Sequence, residues 1–126
     1  MSNDANSSVN SQDQDDQLGI LQRRRIEANI IAPIYRNMVK EIGQEKAADI
    51  IREAITEDAR KAGARFAAAE PNGANLQTFI AIQELWEQDD ALVTETTVAT
   101  DDEFVYKVHK CAYAQMYKDM GLADIG

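Results

Sequence analysis

The sequence predicts an α+β fold in which three helices precede a β-hairpin and a fourth helix follows it. Three observations predict this order. Apolar residues recur at helical spacing through the first two thirds of the chain, two short runs rich in β-branched and aromatic residues come next, and a last helical pattern ends at a glycine. A chain of 126 residues fits one domain with one hydrophobic core.

The first helix is predicted over residues 20–42, where apolar residues recur every three or four positions. Its expected buried face consists of Ile26, Ile30, Ile34, Tyr35, Met38 and Ile42. Pro33 removes one helical hydrogen bond and is expected to kink or restart the helix, whereas Gly43 ends it.

A second helix is predicted over residues 45–68, and it forms an antiparallel hairpin with the first because only a short turn joins them. Its expected inner side consists of Ala47, Ile51, Ala54, Ile55, Ala62 and Phe66. The segment 70–75 combines Pro, Gly and two Asn and therefore predicts a turn. Asn75 is a suitable cap for a third helix, which includes Trp86 and ends near residues 87–90.

The segments 91–99 and 104–110 have strand-like composition, and "TDDE" between them predicts the turn of a hairpin. The last helix follows at once, from Cys111 to the stop at Gly121. A two-stranded hairpin is marginal in water, and its unpaired edges attract further strands. We therefore expect a partner chain to complete the sheet.

Residues 1–17 form a segment of different composition from the predicted domain at 18–126. The segment contains four Asp, no Lys or Arg and almost no aliphatic residue, which predicts a disordered acidic tail. The whole chain has a net charge of −9. Without the four Asp of this segment, 18 acidic and 13 basic residues remain, and the predicted domain has a net charge of −5. An acidic chain without a long apolar run or a secretory signal predicts a cytoplasmic protein that binds neither nucleic acid nor a membrane.

The segment "VHKC" places His109 and Cys111 two positions apart, on one face of a strand if the strand extends that far. A thiol at a helix N-terminus beside an imidazole is a candidate nucleophile, so the two form a candidate catalytic pair. The alternative is a packed cysteine, because free Cys is among the most buried residue types. A single Cys also fits a reducing compartment.

The segment "QRRRIE" places Arg23 and Glu27 one helical turn apart, where they can form an ion pair. The arginines face solvent or a partner, or else an arginine binds a substrate carboxylate, and Arg23 and Glu27 are therefore candidate substrate-binding residues. Tyr106, Tyr113 and Tyr117 lie near His109 in sequence and are candidates for a pocket wall, with core packing as the alternative. No zinc-protease, phosphate-loop or hydrolase-elbow motif occurs, and one His with one Cys predicts no metal site.

Two segments resemble the L-2-amino-thiazoline-4-carboxylic acid hydrolase family. They are "RRRIEANIIAPIYRNMVKEIGQEKAADIIREAITEDARKAG" at 23–63 and "FVYKVHKCAYAQMYKDMGLADIG" at 104–126, of which "KCAYAQMYKDMGL" is the more specific. The resemblance implies hydrolysis of a carbon–nitrogen bond in a small cyclic amide or amidine, without an obligatory organic cofactor. It also marks Cys111 and Tyr113 as site positions, in a chemical or a structural role, whereas His109 falls where the family pattern varies.

Members of that family continue past the position that matches Gly126. The resemblance therefore leaves three expectations: an enzyme of two chains, a precursor cut after Gly126, or an inactive fragment. A cut after Gly126 would give the following chain an N-terminal nucleophile, with this chain as the α subunit of a hetero-oligomer. The alternatives to a hydrolase subunit are a non-catalytic helical interaction or regulatory module, and a self-sufficient thiol hydrolase that uses Cys111.

Overall fold

The computed structural model describes residues 18–126, and these form the α+β arrangement expected from the sequence. Two long helices precede two short helices and a 3-10 turn, two strands then form an antiparallel hairpin, and a last helix follows. The elements are α1 Ile20–Ile42, α2 Gln44–Ala68, α3 Leu76–Ile82, α4 Glu84–Glu87, the 3-10 turn Gln88–Asp90, β1 Leu92–Ala99, β2 Phe104–Cys111 and α5 Ala112–Asp119. The predicted tail at 1–17 lies outside the described residues.

Helices α1 and α2 are separated by Gly43 alone. Gly43 has a φ of 86°, which a residue with a side chain rarely adopts, and its N–H donates to the Val39 carbonyl at 3.0 Å. The start of α1 and the end of α2 line the same cavity, so the two helices run antiparallel, as predicted. Pro33 lies within a continuous α1, and the helix does not restart there.

The predicted inner face of α1 is wrong at its four isoleucines, whereas Tyr35 is buried and Met38 packs against the core, as predicted. Ile26, Ile30, Ile34 and Ile42 are each more than two fifths exposed, and the buried residues of α1 are Ala28, Ala32 and Tyr35. The physical reason is the one-residue connection, because two helices joined so tightly approach closely and small side chains must then meet at the contact. Ala28 and Ala32 share one buried cluster with Ala47 of α2.

The inner side predicted for α2 is right at the start of the helix, wrong at Ala54 and Ile55, and right in part at the end. Ala47 and Ile51 are buried, Ala62 and Phe66 are half-buried, and Ala54 and Ile55 are exposed. The segment after α5 completes the core, where Leu122 is 1% exposed and is the largest side chain buried so fully. Alanines of α1 and α2 therefore make the close helix contact, while Tyr35, Ile51 and Leu122 are the large side chains of the buried cluster.

The third predicted helix is divided into two. Asn75 caps α3 in a capping box, since its side chain accepts from the Thr78 N–H and the Thr78 hydroxyl accepts from the Asn75 N–H. A break at Gln83 then separates α3 from α4. In the turn that follows, Asp89 and Asp90 have φ values of 57° and 55°, which Asp tolerates better than most residues. Strand β1 begins two residues after this turn.

The predicted hairpin is confirmed, with two irregularities. Its register pairs Leu92 with Cys111 and Ala99 with Phe104, and it shifts at two places. One shift leaves Thr97 as an extra residue in β1, and the other leaves His109 as an extra residue in β2. Among the described residues the sheet has only these two strands.

The Tyr35 hydroxyl is buried and has no hydrogen-bond partner among the described residues. We expect Tyr35→Phe to raise the free energy of unfolding by about 1 kcal/mol, because it removes an unsatisfied polar group and keeps the ring. Urea denaturation followed by circular dichroism measures this change. Tyr106→Phe on the hairpin is the matched control and should change stability by less than about 0.5 kcal/mol. A loss of stability in Tyr35→Phe would contradict the assignment of an unpartnered hydroxyl.

Candidate functional site

Arg24 is the member of the arginine run on α1 that lies at the centre of a group of cavities. Its guanidinium donates to Glu27 Oε1 at 2.6 Å, one helical turn away. About a third of the Arg24 side chain is exposed, so the pair is partly shielded from water. A shielded guanidinium with donors to spare is a good receptor for a carboxylate.

Three adjoining cavities share Arg24. The first, here the apolar cavity, has a volume of about 300 Å³, lies between α2 and α3, and is lined by Phe66, Phe79, Ile82 and Trp86 together with alanines. The second, the charged cavity, has a volume of about 510 Å³ and includes Arg23, Arg24, Glu27, Asp58 and Arg65. The third, the tyrosine cavity, has a volume of about 270 Å³ and is lined by Arg24, Glu27, Asp58 and Tyr117, among others.

The charged cavity favours an anion. Three arginines face two carboxylates in its lining, so the cavity carries a net positive charge although the whole chain is acidic. Asp58 makes no ion pair with the described residues, in contrast to Glu27. The site thus offers a cation for an anionic group and, separately, a carboxylate that has no ion-pair partner among the described residues.

Aromatic rings supply the apolar side of the site. Phe66 of α2 and Trp86 of α4 are in contact, with ring centroids 6.1 Å apart and planes inclined by 50°. The Tyr113 hydroxyl donates to the Trp86 carbonyl at 3.1 Å, so α5 is tied to α4 at the place where Trp86 enters the cavity wall. A flat ring that enters the apolar cavity would meet Trp86 beside Arg24.

Two phenols of α5 lie near Arg24, and both remain protonated at neutral pH. Burial raises the pKa of Tyr113, with a smaller opposite effect of Arg24 and a further rise from Cys111. Burial likewise raises the pKa of Tyr117, where Arg24 again lowers it and Glu27 adds to the rise. These hydroxyls can donate hydrogen bonds but do not serve as phenolate nucleophiles.

The structure gives His109 and Cys111 separate partners. His109 is the extra residue of the β2 irregularity, and its Nε2 lies 2.8 Å from Glu95 Oε2 on an exposed surface. Cys111 caps α5, where its sulfur accepts from the Ala114 N–H at 3.4 Å. An extra residue in a strand interrupts the alternation of faces, on which the prediction of a shared face for these two residues depends.

Some of the other predicted site residues lie at the cavities around Arg24, and others do not. Arg23, Glu27 and Tyr117 line the cavities around Arg24. Tyr106 lies instead on the hairpin, with its ring 5.0 Å from that of Phe104, and is not among the residues that line these cavities. Gly126 packs against the ring of Tyr117, and its N–H donates to the Leu122 carbonyl at 2.9 Å.

Sequence reasoning missed Arg24, Asp58, Phe66 and Trp86 as site residues. Each comes from a separate turn of α1, α2 or α4, and only the packing of these helices brings them together. The sequence contained one signal, the spacing of three between Arg24 and Glu27, at which helical side chains form an ion pair. The next residue, Ala28, is buried, so this ion pair lies near the core. Within residues 18–126, no group of three His, Cys, Asp or Glu is arranged to hold a metal ion, and no helix is long and apolar enough to cross a bilayer.

Comparison with known proteins gives one match. The family model described as L-2-amino-thiazoline-4-carboxylic acid hydrolase matches residues 23–126, which is most of the chain. No curated protein sequence and no solved structure matches it. The matched range includes all the residues around the three cavities except Ile20.

Proposed function

The chain belongs to the L-2-amino-thiazoline-4-carboxylic acid hydrolase family, and on this premise we propose that it hydrolyses a carbon–nitrogen bond of a small cyclic amidine or amide that carries a carboxylate. The family description names a hydrolase of a thiazoline carboxylate. The observation that carries the proposal to this chain is the arrangement around Arg24, where a cation, an available carboxylate and an aromatic wall converge.

Substrate binding rests on Arg24 and the apolar cavity. The Arg24 guanidinium binds the substrate carboxylate with two parallel hydrogen bonds, while Glu27 holds the guanidinium in place from the same helix. The ring of the substrate then lies against Trp86 and Phe66, which line the same cavity as Arg24. A cavity of about 300 Å³ accommodates a five-membered ring with its substituents.

In this proposal Asp58 activates the water molecule. Its carboxylate lines both the charged and the tyrosine cavity and has no ion-pair partner among the described residues. In the proposed step Asp58 takes a proton from water, the resulting hydroxide adds to the amidine or amide carbon, and the carbon–nitrogen bond breaks. The nitrogen leaves as an amine after Asp58 returns the proton, and the protonated Tyr117 hydroxyl donates a hydrogen bond within the same cavity.

A second polypeptide that extends the sheet is part of this proposal. Support comes from the hairpin, whose two strands have no further strand beside them among the described residues. Val93, Val105 and Val108 of the hairpin are also exposed, at 38%, 43% and 51%. A main nucleophile on the partner chain, exposed by cleavage after Gly126, is an alternative to water activation by Asp58 and stays a prediction.

The test is turnover of 2-amino-thiazoline-4-carboxylate by the purified chain, alone and with any polypeptide that co-purifies. We expect a product heavier by one water in mass spectrometry, and we expect Asp58→Asn to lower kcat by about a hundredfold or more while KM changes little. The amide cannot accept the proton from water but keeps the size of the side chain. Asp49→Asn, at an exposed ion pair of the same helix, is the matched control and should retain activity.

The outcomes separate the alternatives. Equal activity of Asp58→Asn and Asp49→Asn would contradict Asp58 as the base. Full activity of Cys111→Ser would exclude Cys111 as the nucleophile. Loss of activity in this variant would favour the self-sufficient thiol hydrolase. Absence of turnover with and without a co-purified chain favours a non-catalytic interaction module.

A further inference from the structure

Helix α1 exposes a row of three large apolar side chains. Ile26, Ile30 and Ile34 are spaced by four residues, so they form one ridge along the helix, here called the isoleucine ridge. They are 54%, 61% and 46% exposed, although α1 buries its opposite side in the core. A ridge at this spacing is the surface with which helices pack against other helices.

The charges at the two ends of the ridge are opposite in sign and symmetrically placed. Arg23 lies seven residues before Ile30, and Glu41 lies seven residues after Ile34, so both fall on the ridge side of the helix. Arg23 stands where the ridge meets the charged cavity. The ridge is therefore basic at its N-terminal end and acidic at its C-terminal end.

We propose that the isoleucine ridge binds a second copy of this chain, with the two α1 helices antiparallel about a twofold axis. When Ile30 of one copy lies opposite Ile34 of the other, Arg23 lies opposite Glu41 at both ends. A parallel arrangement would instead place like charges together, which disfavours it. The twofold arrangement closes on itself and adds no further copies.

The small area of the contact predicts a weak dimer. Helix α1 has 23 residues and is therefore about 35 Å long. Two helices in contact over this length bury on the order of 1,000 Å² in total, which is at the lower limit for a specific interface. We expect reversible association with a dissociation constant in the micromolar range.

The first test is sedimentation equilibrium of the full chain over a series of concentrations. The wild-type mass should rise toward twice that of the chain, and Ile30→Asp should stay monomeric, because it places a charge at the centre of the contact. Ile50→Asp is the matched control, since Ile50 is similarly exposed, at 49%, but lies on α2. Circular dichroism of all three proteins establishes that they are folded.

The second test fixes the register. In a Cys111→Ser background, which removes the native thiol, Ile30→Cys and Ile34→Cys proteins are oxidised separately and as a mixture. The mixture should form the larger amount of disulfide-linked dimer, because the register places position 30 opposite position 34. A monomeric wild type, an unchanged dimer in Ile30→Asp, or binding of a different polypeptide to the ridge of a monomeric chain would overturn the proposal.

Discussion

Replacing Arg24 with glutamine is expected to lower kcat/KM for a cyclic amidine carboxylate by about a hundred- to a thousandfold. The loss corresponds to roughly 3–4 kcal/mol of binding to the transition state, since each 1.36 kcal/mol is tenfold in rate. Glutamine removes the charge that binds the carboxylate and leaves Glu27 without its partner at 2.6 Å. Steady-state kinetics over a range of substrate concentrations measures the change.

Arg25→Gln is the control for that experiment. Arg25 is the next residue of the same helix and is exposed, and it lines none of the three cavities around Arg24. We expect Arg25→Gln to keep activity within about twofold. Similar losses in the two variants would contradict the role given to Arg24. Thermal unfolding of both proteins establishes that a loss of activity is not a loss of fold.

Truncation of Leu122 to alanine is expected to lower the free energy of unfolding by about 3 kcal/mol. Leu122 is 1% exposed and packs in the cluster of α1 and α2, so its removal leaves a cavity as well as losing buried apolar surface. The midpoint of thermal unfolding should therefore fall by roughly 10–20 °C.

Ile42→Ala is the matched control for Leu122→Ala. Ile42 is 42% exposed at the end of α1, and its truncation should cost less than about 1 kcal/mol. Urea denaturation of the three proteins measures the free energies. Equal losses in the two variants would show that the segment after α5 does not anchor the core.

Local chemistry explains what the sequence predicted correctly about the fold. Helix starts and stops depend on residues close in sequence, here Gly43, Asn75 and Gly121. The two β-branched segments form the hairpin by pairing with each other. The sequence predicted Ile26 and Ile30 on the inner face of α1, but Ala28 is buried there instead. Both sets of residues recur with the same helical period. Periodicity identifies a face, but it does not tell which face meets α2 when a one-residue turn demands small side chains.

The candidate site was predictable only where one helix supplies it. Glu27 was identified from its spacing along α1, but its partner is Arg24, and three successive arginines cannot be ranked without the neighbouring helices. Asp58 and Trp86 reach the cavities through the packing of α2 and α4, which no spacing within the sequence describes. His109 lies in the predicted strand, but its place as an extra strand residue leaves no mark in the sequence pattern.

The extra residues at Thr97 and His109 also bear on aggregation. A flat hairpin with exposed valines is the kind of segment that stacks with copies of itself into fibrils. Each strand here carries one extra residue that twists it and breaks the even row of backbone groups. We therefore expect the two irregularities to hinder stacking of the hairpin with copies of itself, and we expect a variant that lacks Thr97 or His109 to form fibrils more readily.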